Sequence, residues 1–68
     1  MPEQTEWEQK AANILKARLK LNGVSYGQLA DLINDKEPSV RNKLSRGKFS
    51  ASFMIQCFEA IGEREIRL

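Results

Sequence analysis

Signals that open and close helices recur along this chain at intervals too short for any long element. Thr5, Ser25 and Ser50 each have a side-chain oxygen suited to cap a helix start. Gly23, Gly47 and Gly62 are placed to end one, and Asn34-Asp35 makes a further turn-prone break. A chain so punctuated folds as several short helices or not at all. With 68 residues there is room for one small domain, and domains of this size bury only about 60% of the surface that their unfolded chain exposes. The single cysteine excludes an internal disulfide, and the absence of histidine excludes Cys/His zinc sites and histidine-based catalysis. The apolar runs, of which Phe53–Ile55 is the longest, are far too short for a membrane span or a signal-peptide core. The composition therefore points to a cytoplasmic, non-enzymatic, single-domain protein with no metal, no cofactor and no membrane association, its core spanning 5–62 and a tail 63–68.

The first segment runs from Thr5 to about Leu21. Thr5 and Glu8 form a capping box, and Glu6 and Glu8 suit the positive end of the helix dipole. Trp7, Ala11, Ile14, Leu15, Leu19 and Leu21 follow helical spacing, which predicts Trp7 as a lid on the core. Ser25 and Gln28 make a second capping box, opening a short helix whose apolar face is Tyr26, Leu29, Ala30, Leu32 and Ile33. Asp35 is placed to cap a third helix with Pro38 in its first turn; only Val40 and Leu44 of that helix face inward. Ser50 caps a fourth, with Met54, Cys57, Phe58 and Ile61 as the core stripe and Phe49 and Met54 at staple spacing. Cys57 reads as a small buried hydrophobe. In the tail Arg64, Ile66 and Leu68 alternate with other residues, as in a short strand, although a frayed helix fits as well.

The pair Ser25–Ile33 and Asp35–Arg46 is the informative part: two short helices joined by a tight polar turn, the second narrow in its buried seam and cationic outside. That is the arrangement of a helix-turn-helix, whose second helix enters the DNA major groove. Leu29-Ala30-Asp31-Leu32-Ile33, then Val40 and Leu44, then Arg46-Gly47-Lys48, resembles the λ-repressor/Cro-type helix-turn-helix superfamily. The string Arg41-Asn42-Lys43-Leu44-Ser45-Arg46-Gly47-Lys48-Phe49-Ser50, continued by Gln56-Cys57 and Ala60-Ile61-Gly62, is similar to a small bacterial family of unknown function. The resemblance covers about 7–62 and implies an all-α, compact four-helix, λ-repressor-like domain that binds DNA as a small regulator or antitoxin-like factor. Ala30 and Gly47 stand seventeen positions apart, one more than is usual in the superfamily, and Asn34 replaces the usual turn glycine. The extra residue lengthens the Asn34–Glu37 turn and bears on how the third helix is oriented.

The net charge of +2 conceals a division: −3 over 1–8, +5 over 9–62 and zero over 63–68, and from Pro38 to Phe58 there are four cations and no anion. Ser39, Arg41, Asn42 and Lys43 are the candidate base contacts. Arg46, Lys48, the Ser50 helix start, Ser25 and Tyr26 are the candidate phosphate contacts. A bland reading stands beside this: the cations form a solvated face and the serines only cap helices. Phe53 and Ile55, off the core stripe, are candidates for self-association together with Arg64, Ile66 and Leu68, since a strand there has an edge that a second copy would pair. Double-stranded DNA is the leading partner, with a homodimer through the fourth helix and tail spanning two half-sites. A protein-interaction module on the same fold is the alternative. RNA is weaker, for want of exposed aromatic residues beyond Tyr26 and Phe49.

Overall fold

The computed structural model describes residues 5–65 and is all-α: α1 (Glu6–Leu21), α2 (Tyr26–Leu32), α3 (Glu37–Arg46) and α4 (Ala51–Ala60). Among the described residues there is no strand, and no helix is long and apolar enough to cross a membrane. The start signals act as the side chains dictate. Thr5 and Glu8 exchange both bonds of a capping box, as do Ser25 and Gln28, and Ser50 Oγ accepts from the Phe53 N–H.

Three helix ends use one device. At Gly23, Asn34 and Gly62 the backbone turns left-handed, and the next residue's N–H reaches back to a carbonyl five positions earlier: Val24 to Leu19, Asp35 to Ala30, Glu63 to Phe58. Those bonds satisfy carbonyls that a helix end leaves orphaned. Asn34 (φ 59°) fills the position that glycine holds in the other two, and it is the one non-glycine residue in that region among the described residues. This ending displaces the expected cap of α3. Asp35 is consumed by the α2 ending, and its Oδ1 accepts from the Lys36 N–H; Lys36 itself becomes the N-cap, with no side-chain bond.

The helices close over one core, with α3 and α4 each packed on both α1 and α2. Leu15 and Leu19, Leu29 and Ala30, Val40 and Leu44, and Phe53, Cys57 and Phe58 are its buried members, one set from each helix. Each fully buried Leu, Val or Phe side chain contributes about 1.5–3 kcal/mol, so the four leucines, one valine and two phenylalanines of this set carry the domain.

Several sequence expectations fail here. Trp7 is no lid: it is 76% exposed, because Ala12, Leu15 and Leu19 define the buried line of α1 and Trp7 lies about a third of a turn round from it. Leu21, at 73%, and Leu32 are exposed for the same geometric reason. Phe53 moves the opposite way. Only 5% exposed, it packs its ring 5.4 Å from that of Phe49, so the self-association surface expected of it does not exist. The buried face of α4 is simply broader than a single stripe and takes in Phe53 as well as Cys57 and Phe58. Ile55, one residue from Met54, is 56% exposed. Arg64 is exposed and lies in no regular element, so the strand is absent there; Ile66 and Leu68 fall outside the described residues.

Candidate nucleic-acid interface

Of the ten residues of α3, Val40 and Leu44 are buried and Ser39 and Lys43 half-buried; the rest are exposed. The helix thus meets the domain along one narrow seam, as its sequence pattern requires. Arg41, Asn42 and Ser45 stand together on the outer side, where a shallow groove runs between Glu37, Pro38, Arg41, Asn42 and Ser45. Ser45 was missed by sequence reasoning, although its spacing three and four residues from Asn42 and Arg41 places it beside them.

The four expected base contacts do not form one set. Arg41 and Asn42 share the outer face. Ser39 and Lys43 lie on the flank of α3 that faces Asp35, whose Oδ2 accepts from Lys43 Nζ at 3.1 Å. Lys43 Nζ also sits 4.6 Å from the centre of the Phe53 ring on α4, so this lysine bridges the turn and the last helix. Bonds from the Lys36 N–H, then from Lys43, hold the Asp35 carboxyl below its ordinary range.

Arg41 is held from two sides. Its Nη2 donates to Glu37 Oε2 at 2.6 Å, one helical turn earlier, and its guanidinium lies 5.6 Å from the centre of the Tyr26 ring on α2. The half-buried Tyr26 therefore serves first as a platform for Arg41. Glu37 also lines the start of α2, with its carboxyl carbon about van der Waals distance from where a Gly27 side chain would stand.

Lys48, in the connector between α3 and α4, donates to Glu8 Oε2 at 2.9 Å, across forty positions of sequence. Glu8 already accepts from the Thr5 N–H, and that bond together with Lys48 depresses its pKa. The capping glutamate of α1 is thus also the partner of a connector cation. Arg46 is exposed and has no ion pair among the described residues. At the helix starts, Ser25 Oγ is engaged by the Gln28 N–H and Ser50 Oγ by the Phe53 N–H, so both hydroxyls act as caps before anything else.

Three of the four cations between Pro38 and Phe58 are therefore already matched to carboxylates. The Glu37–Arg41 spacing was legible as an i, i+4 pair, whereas the pairings with Glu8 and Asp35 need the folded chain. Elsewhere, burial pushes the Cys57 thiol up to about 11, leaving it protonated and unreactive. Among the described residues no group of three or more His, Cys, Asp or Glu side chains is placed to hold a metal.

No curated protein and no solved structure gives a significant match to the chain. A family profile does match, over residues 7–66, which is most of the sequence. The chain belongs to the family described as a domain of unknown function (DUF6471).

Proposed function

We propose that this domain binds double-stranded DNA, with α3 as the recognition helix of a λ-repressor/Cro-type helix-turn-helix, and acts as a small transcriptional regulator or antitoxin-like factor. The observation that carries the reading is the outer face of α3. Arg41, Asn42 and Ser45 are exposed together on a helix of which only Val40 and Leu44 are buried. Arginine and asparagine are the side chains that read guanine and adenine edges in the major groove. Arg46, exposed and with no ion pair among the described residues, is the first phosphate contact. Lys48 is the second, once a phosphate displaces Glu8. Lys43 faces Asp35 and belongs to the support of the turn more than to base reading.

A protein-interaction module on the same fold is the second reading, and one observation favours it: Arg41, Lys43 and Lys48 already have carboxylate partners. Binding to mixed-sequence duplex DNA across a salt series separates the two. Each phosphate contact contributes about −0.9 to the slope of log affinity against log salt. The DNA reading therefore expects a slope between about −1, for Arg46 alone, and about −4, for all four cations. Arg46→Ala should weaken binding to every sequence, and Asn42→Ala should blur discrimination between sequences. Absence of binding at low salt refutes the reading.

A further inference from the structure

We propose that α1 carries a self-association surface, on which two copies of this chain pair their first helices antiparallel. The surface is made of residues that the core leaves out. Trp7, Ile14 and Leu21 are spaced by seven, so at about 3.6 residues per turn they line one edge of α1. That edge lies apart from the buried line of Ala12, Leu15 and Leu19. Trp7 and Leu21 are the two most exposed large apolar side chains among the described residues, at 76% and 73%, and Ile14 only partly packs on the core. Beside them runs a shallow groove lined by Glu6, Gln9, Lys10, Asn13, Ile14 and Ala17. One edge of the helix thus bears a protruding indole and, alongside it, a recess that runs on as far as Ala17.

Charge selects both the occupant and its direction. The first turn of α1 holds Glu6 and Glu8, and its last turn holds Arg18 and Lys20. Two such helices side by side in parallel would set like charges together. Antiparallel pairing about Asn13 brings Glu6 of each copy level with Lys20 of the other, since six and twenty are equidistant from thirteen. The same register lays each Trp7 against the partner's Ala17 and Leu21 and places Ile14 near the axis. A two-fold interface requires this self-complementarity, and α1, at sixteen residues or about 24 Å, is long enough to supply it. The pairing uses neither α3 nor α4, and it stands or falls independently of DNA binding.

The full chain is to be followed by sedimentation velocity, and by the fluorescence of Trp7, its only tryptophan, from low to high micromolar concentration. The proposal expects a monomer–dimer equilibrium with emission moving to the blue as the dimer forms. Trp7→Ala should weaken the dimer at least a hundredfold, two copies of a hot-spot residue type being lost, without lowering the melting temperature. Glu6→Lys and Lys20→Glu should each weaken it by about tenfold. An equimolar mixture of those two variants should restore it; parallel pairing, which would set Glu6 on Glu6 and Lys20 on Lys20, predicts no loss in either single variant. A chain that stays monomeric with unshifted emission overturns the proposal. So does a dimer indifferent to Trp7→Ala, or one abolished by Ile55→Ala on α4.

Discussion

The Glu37–Arg41 pair offers the sharpest test of whether α3 meets DNA, because it predicts a gain from a lost interaction. In the free protein Arg41 donates to Glu37 at 2.6 Å, and both side chains are about half exposed or more, 61% and 48%. Exposed pairs of this i, i+4 kind contribute only about 0.3–0.5 kcal/mol. If Arg41 must leave Glu37 to reach a base or phosphate, that cost is removed in Glu37→Gln. The variant also removes an anion from a groove that would face phosphates. At about 8 Å through water such a repulsion is worth about 0.5 kcal/mol at low salt. Together these make about 1 kcal/mol, or a tightening of two- to fivefold. Fluorescence anisotropy with a labelled mixed-sequence duplex reads the change directly. Repeating the series on Arg41→Ala and on the double variant isolates the part that runs through Arg41, which should supply about two fifths to half of the gain. A Glu37→Gln variant that binds no tighter than the parent, or a gain that survives intact without Arg41, refutes the argument that this pair masks a DNA contact.

Three further expectations concern the fold and its charges. Phe53→Ala should destabilise the domain by about 3–5 kcal/mol while Ile55→Ala stays within about 1 kcal/mol, as read from urea midpoints; equal effects would remove the burial contrast between them. Gly27→Ala should stabilise by about 0.4–1 kcal/mol, since a side chain there, in the first turn of α2, meets Ser25 and Glu37 only at ordinary contact distance, and a lowered melting temperature would contradict it. Glu8 and Asp35 have pKa values depressed below their ordinary 4.5 and 3.8, so the stability they lend is complete above those values and lost as acid protonates them in the fold. Thermal melts should accordingly be flat in these two groups from pH 7 to about 5 and fall below that, and Glu8→Gln with Asp35→Asn should flatten the acid limb.

What was legible in the sequence is what is decided within one helical turn. The Thr5–Glu8 and Ser25–Gln28 boxes, the Ser50 cap and the left-handed glycines follow from neighbours three to five positions away, and all are present. Which way a helix faces is decided by its partners, and there periodicity misled. Trp7 stands at apolar spacing and Phe53 off the core stripe, yet α1 turns Trp7 out while α4, packed on both α1 and α2, takes Phe53 in. Asp35 fails as a cap for a subtler reason: two local devices compete for one residue, and the ending of α2 through Asn34 claims it first. The candidate site suffers most from this limit. Residue types on α3 announce a polar, cationic face, but their counter-charges come from positions four, eight and forty residues away.

Those counter-charges change where the excess positive charge lies. Between positions 9 and 62 there are nine cations, and ion pairs with Glu8, Asp35 and Glu37 engage Lys48, Lys43 and Arg41. Of the remaining six, Lys10, Lys16, Arg18 and Lys20 belong to α1, and only Arg46 to α3. A solvated helix face requires no such arrangement, since isolated surface cations are stable in water. Nor does a phosphate-binding face that is poised for contact, which would leave its cations unpaired. The pattern fits a face whose positive groups are held in place by weak, displaceable carboxylates until a stronger polyanion arrives. Displacement has a signature that neither alternative shares: affinity should rise when the carboxylates are neutralised one at a time, and rise less once the paired cation is removed. Glu8→Gln should act through Lys48 and Glu37→Gln through Arg41, their gains adding because the two pairs share no partner. Additive gains in DNA affinity would mark α3 and its connector as a binding surface; unaltered affinity in both variants would leave the three pairs as supports of the fold alone.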